Sequence, residues 1–424
     1  MQIIEREHYL SKLRTAQETN LIKVITGVRR CGKSVIMRAF ADELIDKFGN
    51  AHVYTANYEA LFDSDEIQDH KIAYRTITKA LDLKQQCFVL LDEVQNVAGF
   101  EYLVDQLFAT PNVDLYITGS NAYLLSTDLA TMFAGRYIEI KMYPYSFSEY
   151  VQAMRAIGNE DRKLLDDYIT FGGLPESVNL RKISDELVHE YLSSVNKSII
   201  TKDVTFRHKL RDHSLLERVI KFLLSNIGSP VSPNRIAQNL SVEYRNTKSS
   251  TVDYILSALE QSFIFYQAER FDTKGRGILK TNSKFYPVDL GVRNAVLGKS
   301  SALDYGHQLE AVVYFELLRR GKNVYVGKVG DREVDFVMQN ADGSLEYYQV
   351  AYTTMEESTL LREITPLQKI RDSYPKYILS TDSFESSEGG IMRRNVEKWL
   401  LGEGCPMDPR HKAKNDSSGV WIQE

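Results

Sequence analysis

Cysteine is scarce, with three in 424 residues at Cys31, Cys87 and Cys405. They lie far apart, which excludes a disulfide framework and points to a reducing cytoplasm. Long hydrophobic runs are missing, and no stretch is apolar for long enough to span a bilayer. The opening Met1-Gln-Ile-Ile-Glu-Arg-Glu7 lacks the charged-then-apolar form of a signal peptide. No membrane role is expected, and the chain reads as cytoplasmic. A large excess of either charge is also absent. The net charge of −5 argues against a chain-wide coat for nucleic acid. The charge is uneven, however. Residues 181–300 hold roughly 19 Lys/Arg against roughly 12 Asp/Glu, a basic middle in an otherwise acidic chain and a hint of an anionic partner. The length implies about two to four domains.

What is present begins with Gly27-Val28-Arg29-Arg30-Cys31-Gly32-Lys33-Ser34, a full match to the phosphate-binding pattern G-x-x-x-x-G-K-[ST]. It follows an apolar β-type run, Leu21–Thr26, and opens into a helical pattern from Val35. That context suits phosphate binding, because loop N–H groups and the positive helix end face the ligand. Gly27 and Gly32 permit close backbone approach. Lys33 is expected to reach the β- and γ-phosphates, and the Ser34 hydroxyl to hold Mg²⁺.

A second strand, Cys87-Phe-Val-Leu-Leu-Asp92-Glu93, is continuously apolar, as a parallel strand buried on both faces should be. Asp92 is placed to hold Mg²⁺ and Glu93 to polarise the attacking water. Two further strands end at Asn57 and at Gly119-Ser120-Asn121, where strand ends face the ligand crevice of an open α/β sheet. Ser120 or Asn121 could contact the γ-phosphate or the water, and Asn57 could tune Glu93. Each could equally be a helix cap or turn residue. Arg136, after Gly135 and just before a strand, could be an arginine finger reaching a neighbouring subunit, which implies a homo-oligomer, or an ordinary surface residue.

The order of these elements resembles the AAA+ superfamily. More narrowly, it is similar to a large prokaryotic family of AAA+-like ATPases that carry a C-terminal domain of unknown function. The resemblance rests on Gly27–Ser34, Leu91-Asp-Glu-Val-Gln95, Tyr143-Pro-Tyr-Ser-Phe-Ser-Glu149 and Phe171-Gly-Gly-Leu-Pro175, and it covers most of the chain. It favours ATP as the nucleotide, makes Glu93 the catalytic acid, and sets Arg136 where such proteins place an inter-subunit arginine.

The spacing predicts an α/β multidomain chain: a P-loop parallel sheet over 1–148, a helical lid over 149–206, a winged helix over 207–300, a restriction-endonuclease-like α/β domain over 301–402 and a flexible tail over 403–424. Gly172-Gly173-Leu174-Pro175 could be a hinge or a simple helix stop. In the middle, Ser232-Pro233 starts a helix, Thr247–Tyr254 would belong to a recognition helix, and Lys274 and Arg276 would sit on a two-stranded wing. Residues 232–280 would then meet duplex DNA through phosphate contacts, since no side-chain set for base readout is evident.

The last third has the helix–strand–strand–strand order of the PD-(D/E)xK nuclease fold. Glu310, Asp335 and Gln349 match three positions of its Mg²⁺ site, but Ala351 stands where the lysine should be. A displaced lysine such as Lys369 could substitute. The site is expected to be degenerate and inactive, because alanine cannot orient water and Gln349 is a neutral ligand. Three functions follow: an ATPase acting on DNA, a nucleotide-dependent protein switch without DNA, or a metal-dependent nuclease.

Overall fold

The runs at Ile22–Thr26 (β1) and Cys87–Asp92 (β3) are buried at every position, and Lys23, which interrupts the first, is buried in an ion pair with Asp114. Strands covered on both faces tolerate no polar alternation. In the computed structural model they lie inside a five-stranded sheet with Val53–Asn57 (β2), Val113–Gly119 (β4) and Tyr137–Lys141 (β5), in the order β2-β3-β4-β1-β5. All four pairings are parallel. The structure describes residues 4–61, 64–120, 135–159, 163–206, 208, 210, 212–241, 247–298, 304–321 and 323–403. Register sets the function-bearing ends side by side: Thr26 opposes Gly119, and Asn57 opposes Asp92. The P-loop therefore leaves β1 at the edge where β3 ends.

A helical region follows β5. The helix Phe147–Ala156 opens with a capping box, in which the Glu149 amide donates to Ser146 Oγ and the Ser146 amide to Glu149 Oε2. This satisfies two orphan donors at once. Helices Leu164–Phe171 and Asp185–Ser198 continue the region, and a π-helical segment, Ile199–Phe206, leaves it.

Gly172 and Gly173 do not form a loose hinge. A Cβ on Gly172, whose φ is +73°, would fall 2.1 Å from Asp289 Oδ1, and one on Gly173 would fall 2.5 Å from the Tyr145 carbonyl oxygen. The Gly173 amide donates to Asp289 Oδ2 at 2.8 Å. Asp289 also caps the helix Leu290–Leu297 through the Val292 amide. The glycines are a packed junction between this helical region and the helix Leu290–Leu297, and close approach is what requires them.

The expected helices of the middle region are present as His213–Ser225, Pro233–Ser241 and Ser249–Gln261. The two strands that follow them, Phe265–Asp272 (β6) and Gly277–Pro287 (β7), form a hairpin but not a free-standing wing. β6 also pairs in parallel with Asn323–Val329 (β8), so the hairpin ends an eight-stranded mixed sheet. The remaining strands are Arg332–Gln339 (β9), Leu345–Val350 (β10), Lys376–Ser380 (β11), Ser386–Glu388 (β12) and Ile391–Asn395 (β13), in the order β12-β13-β11-β10-β9-β8-β6-β7. The physical reason is burial of β6 in two apolar clusters, Phe265 and Ala268 in one and Phe271 in another, which a two-stranded ribbon cannot achieve alone. One apolar core runs from Phe40 and Tyr116 through Phe147 and Ile169 to Phe285, Phe315 and Tyr348. No helix of the described residues is long and apolar enough to cross a membrane.

Candidate active site

The P-loop helix, Lys33–Phe48, begins directly after Gly32, whose φ of +105° is the left-handed conformation that glycine adopts freely. A Cβ on Gly27 would lie 2.1 Å from the Met142 carbonyl oxygen, so the chain behind the loop fixes that glycine. Lys33 is buried and its Nζ donates to the Gly27 and Val28 carbonyls at 2.9 and 3.3 Å. It also stands 3.8 Å from Glu93 Oε1.

Asp92 and Glu93 are held as a pair by Thr118. Its hydroxyl donates to Asp92 Oδ1 and accepts from the Glu93 amide at 3.0 Å. Burial pushes the Asp92 carboxyl up, and hydrogen bonds from Ser34 and Thr118 partly offset this. Glu93 sits at φ +52°, a left-handed conformation that is unusual for a residue with a side chain. Such strain persists where surrounding contacts hold it, and it clusters at working sites. Ser120 is fully buried and donates to Glu93 Oε2 at 3.0 Å. The Ser34 hydroxyl, the Asp92 carboxylate and a glycine loop at a helix N-terminus form a donor set that fits Mg²⁺ and a triphosphate.

Several expected residues are placed differently. Asn57 does not touch Glu93; its Nδ2 donates to Asp92 Oδ2 at 2.9 Å, because β2 and β3 pair in register at their ends. Asn121 lies outside the described residues. Arg136 stands at the other end of β1 from the P-loop, where its carbonyl accepts from the Ile22 amide and its Nη1 lies 3.5 Å from Asp105. It does not meet the phosphate loop of its own chain. Arg30 is exposed, while Arg29 turns inward to Asp203. Cys31 is buried under the loop and unpaired by disulfide, and burial raises its thiol pKa.

Two contributors were not read from sequence. Arg6 is buried, donates to the Cys31 carbonyl at 3.0 Å and pairs with Glu149 at 2.8 Å. Burial opposes its charge, and Glu149 outweighs that, raising its pKa. It ties the back of the P-loop to the helix Phe147–Ala156. A cavity of about 250 Å³ opens beside it, lined by Leu10, Gly32, Ile36, Tyr145, Pro175 and Asn179. It lies between the first turn of the P-loop helix and the helix Pro175–Leu180.

Glu310, on the helix Tyr305–Arg320, and Asp335, on β9, come together, but a lysine fills the space between them. Lys284, from the hairpin, lies 2.9 Å from Glu310 Oε1, 2.7 Å from Glu333 Oε1 and 4.0 Å from Asp335 Oδ1. Burial opposes its charge, and the three carboxylates outweigh that, keeping it protonated. Gln349 is tied at both ends, accepting from the Asp335 amide at 2.7 Å and donating to Glu363 at 2.6 Å. Lys369 does not join the cluster; it is half exposed and pairs with Asp331 at 3.6 Å. No group of three or more His, Cys, Asp or Glu among the described residues is arranged to hold a metal.

The five parallel strands, the glycine loop and the paired acids define a P-loop domain of the AAA+ type. A family model described as an AAA domain matches residues 19–151, and one described as a domain of unknown function (DUF8612) matches 162–303. The chain belongs to one family with an uncharacterized protein of Haemophilus influenzae, to which it is 38% identical over 406 residues, covering 94% of this chain and 99% of that protein. An uncharacterized protein of Methanocaldococcus jannaschii is 29% identical over 374 residues, covering 82% of this chain and 78% of its own. Among solved structures, the Walker-type ATPase of Pyrococcus abyssi is similar at 16% identity, with a TM-score of 0.49 over 70% of this chain and 96% of that one.

Proposed function

We propose that this protein binds and hydrolyses ATP at Gly27–Ser34 and couples that cycle to duplex DNA. The observation that carries the reading is the convergence of Lys33, Ser34, Asp92, Glu93 and Ser120 at one end of a parallel sheet. Ser34 and Asp92 would hold Mg²⁺, whose chemistry is to neutralise charge on the β- and γ-phosphates. Lys33 exchanges its loop carbonyls for phosphate oxygens. Glu93 accepts a hydrogen bond from the attacking water, and Ser120 fixes the Glu93 carboxylate. The cavity under Pro175 would accept the nucleoside. The comparison that tests this is ATP turnover in Lys33→Ala and Glu93→Gln. Lys33→Ala should lose nucleotide binding, while Glu93→Gln should bind and not turn over. Unchanged turnover in both sinks the enzyme reading.

Lys274 and Arg276 support the DNA reading, because both are exposed at the hairpin tip. Their contacts would be to phosphates, so affinity should fall steeply with salt. A second reading, a protein-interaction switch, is favoured by the hairpin's union with the C-terminal sheet and by two acids, Asp253 and Glu260, on the helix Ser249–Gln261. Absence of duplex binding at low salt selects it. A nuclease role is disfavoured because Lys284 already neutralises Glu310 and Glu333. The arginine-finger role of Arg136 would act only on a neighbouring copy.

A further inference from the structure

We infer that Asp203 is a positioning residue of the nucleotide site: an internal anion that holds Arg29 until the γ-phosphate of ATP takes it over. This rests on the ATPase reading above.

Asp203 is fully buried and comes from the π-helical segment Ile199–Phe206, far from the P-loop in sequence. Its two oxygens accept from Arg29 Nε at 3.0 Å and Arg29 Nη2 at 3.3 Å, a two-pronged grip on a P-loop side chain. Ser120 Oγ stands 3.5 Å from Asp203 Oδ1 and 3.0 Å from Glu93 Oε2. Lys33 Nζ is 3.8 Å from the other Glu93 oxygen. Five side chains thus form one row, Lys33–Glu93–Ser120–Asp203–Arg29, with cations at its ends and carboxylates inside. The row spans the place where a P-loop presents the terminal phosphate.

A terminal phosphate is a third anion for the same donors. Carboxylate and phosphate at a few ångströms repel strongly in a buried site. Arg29 can serve the phosphate only by releasing Asp203. Arg29 stays anchored meanwhile, because Glu59 accepts from its Nη1 at 2.6 Å. Released, Asp203 would be a buried charge without its main partner, so its segment must move. That segment is π-helical, a local irregularity that is frequent at functional sites. It leads from the lid helix Asp185–Ser198 towards the helix His213–Ser225. ADP has no γ-phosphate and leaves the grip intact. Asp203 would therefore distinguish the two nucleotides and report the difference to the middle of the chain.

The test uses the full chain with a non-hydrolysable ATP analogue and ADP. Asp203→Asn, which keeps the shape and removes the charge, should bind the ATP analogue about tenfold tighter, and ADP less than about twofold tighter. Asp203→Glu, which restores the charge, should restore the wild-type ratio. In the wild type, hydrogen exchange over 199–206 should rise with the ATP analogue and not with ADP. Should Asp203→Asn fail to fold, that exchange difference decides alone. Equal effects on both nucleotides, or exchange that ignores the γ-phosphate, overturns the inference and leaves the ATPase reading standing. Failure of the wild type to bind either nucleotide overturns both.

Discussion

Lys284 Nζ lies 2.9 Å from Glu310 Oε1, and this contact joins the hairpin to the helix Tyr305–Arg320. Tyr286 adds a hydrogen bond to the same oxygen. The ammonium is buried, so removing it takes from Glu310, Glu333 and Asp335 the cation they share. We expect Lys284→Met to cost about 3–5 kcal/mol in urea unfolding. Adding Glu310→Gln should recover part of that loss, because one of the stranded carboxylates is then neutral. Mg²⁺ without nucleotide should leave the wild-type midpoint unchanged. Stabilisation of the wild type by Mg²⁺ alone would count against a cluster closed by lysine.

Thr118 binds both members of the acid pair, so it governs their relative geometry. Thr118→Val keeps the shape and removes the hydroxyl. The Glu93 amide and the Asp92 carboxylate each lose a partner. Supporting hydrogen bonds of this kind are worth about 10- to 100-fold in activity or metal affinity. We expect turnover to fall by that factor while nucleotide binding, which depends on the P-loop, changes little. Steady-state kinetics and a binding titration separate the two, and a parallel loss of both would argue for misfolding instead.

The sheet and the P-loop were legible because they rest on local pattern. Apolar runs ending in Thr26 and Asp92 mark strands buried on both faces, and Gly27–Ser34 has one spacing and one context. What stayed hidden depends on long-range pairing. Arg6 reaches Glu149 across 143 positions, and Arg29 reaches Asp203 across 174. Nothing near either residue announces its partner. The hairpin of β6 and β7 has the local signature of a wing, and only its pairing with β8 reveals the larger sheet. That Lys284, and not Lys369, meets Glu310 was equally hidden, because Lys284 lies on β7, earlier in the chain. Asn57 shows the same limit in miniature: its position at a strand end was readable, but its choice of Asp92 over Glu93 is set by register.

Gly291 packs directly against the end of the helix Leu164–Phe171. A Cβ there would lie 2.1 Å from the Phe171 carbonyl oxygen, and backbone cannot yield as a flexible side chain can. Gly291→Ala and Gly172→Ala should each lower stability by about 1–3 kcal/mol or more, and Gly172 carries an added penalty from its positive φ. Gly49, also at positive φ but with open space around it, isolates the backbone term alone. Thermal unfolding of the three alanine variants measures this, and equal losses at all three would remove the packing argument.

Asp289 gives this junction a pH dependence. Burial raises its pKa from 3.8 to about 6, against the pull of backbone N–H groups from Val292, Gly173, Gly291 and Leu174. A carboxyl with a raised folded-state pKa holds its proton longer in the folded chain than in the unfolded one. Its effect on stability is therefore nil below about pH 4, turns unfavourable as pH rises, and is complete above about pH 6. Two pKa units correspond to about 3 kcal/mol. Asp289→Asn is neutral throughout and turns an amide nitrogen towards one of the donors, so it should be the less stable chain at low pH. Between about pH 4.5 and about pH 7.5 the gap to wild type should narrow by a few kcal/mol. Urea midpoints of the two chains across that range measure the gap directly. A gap that stays constant with pH would mean that Asp289 is ionised in both states, with its backbone donors outweighing burial.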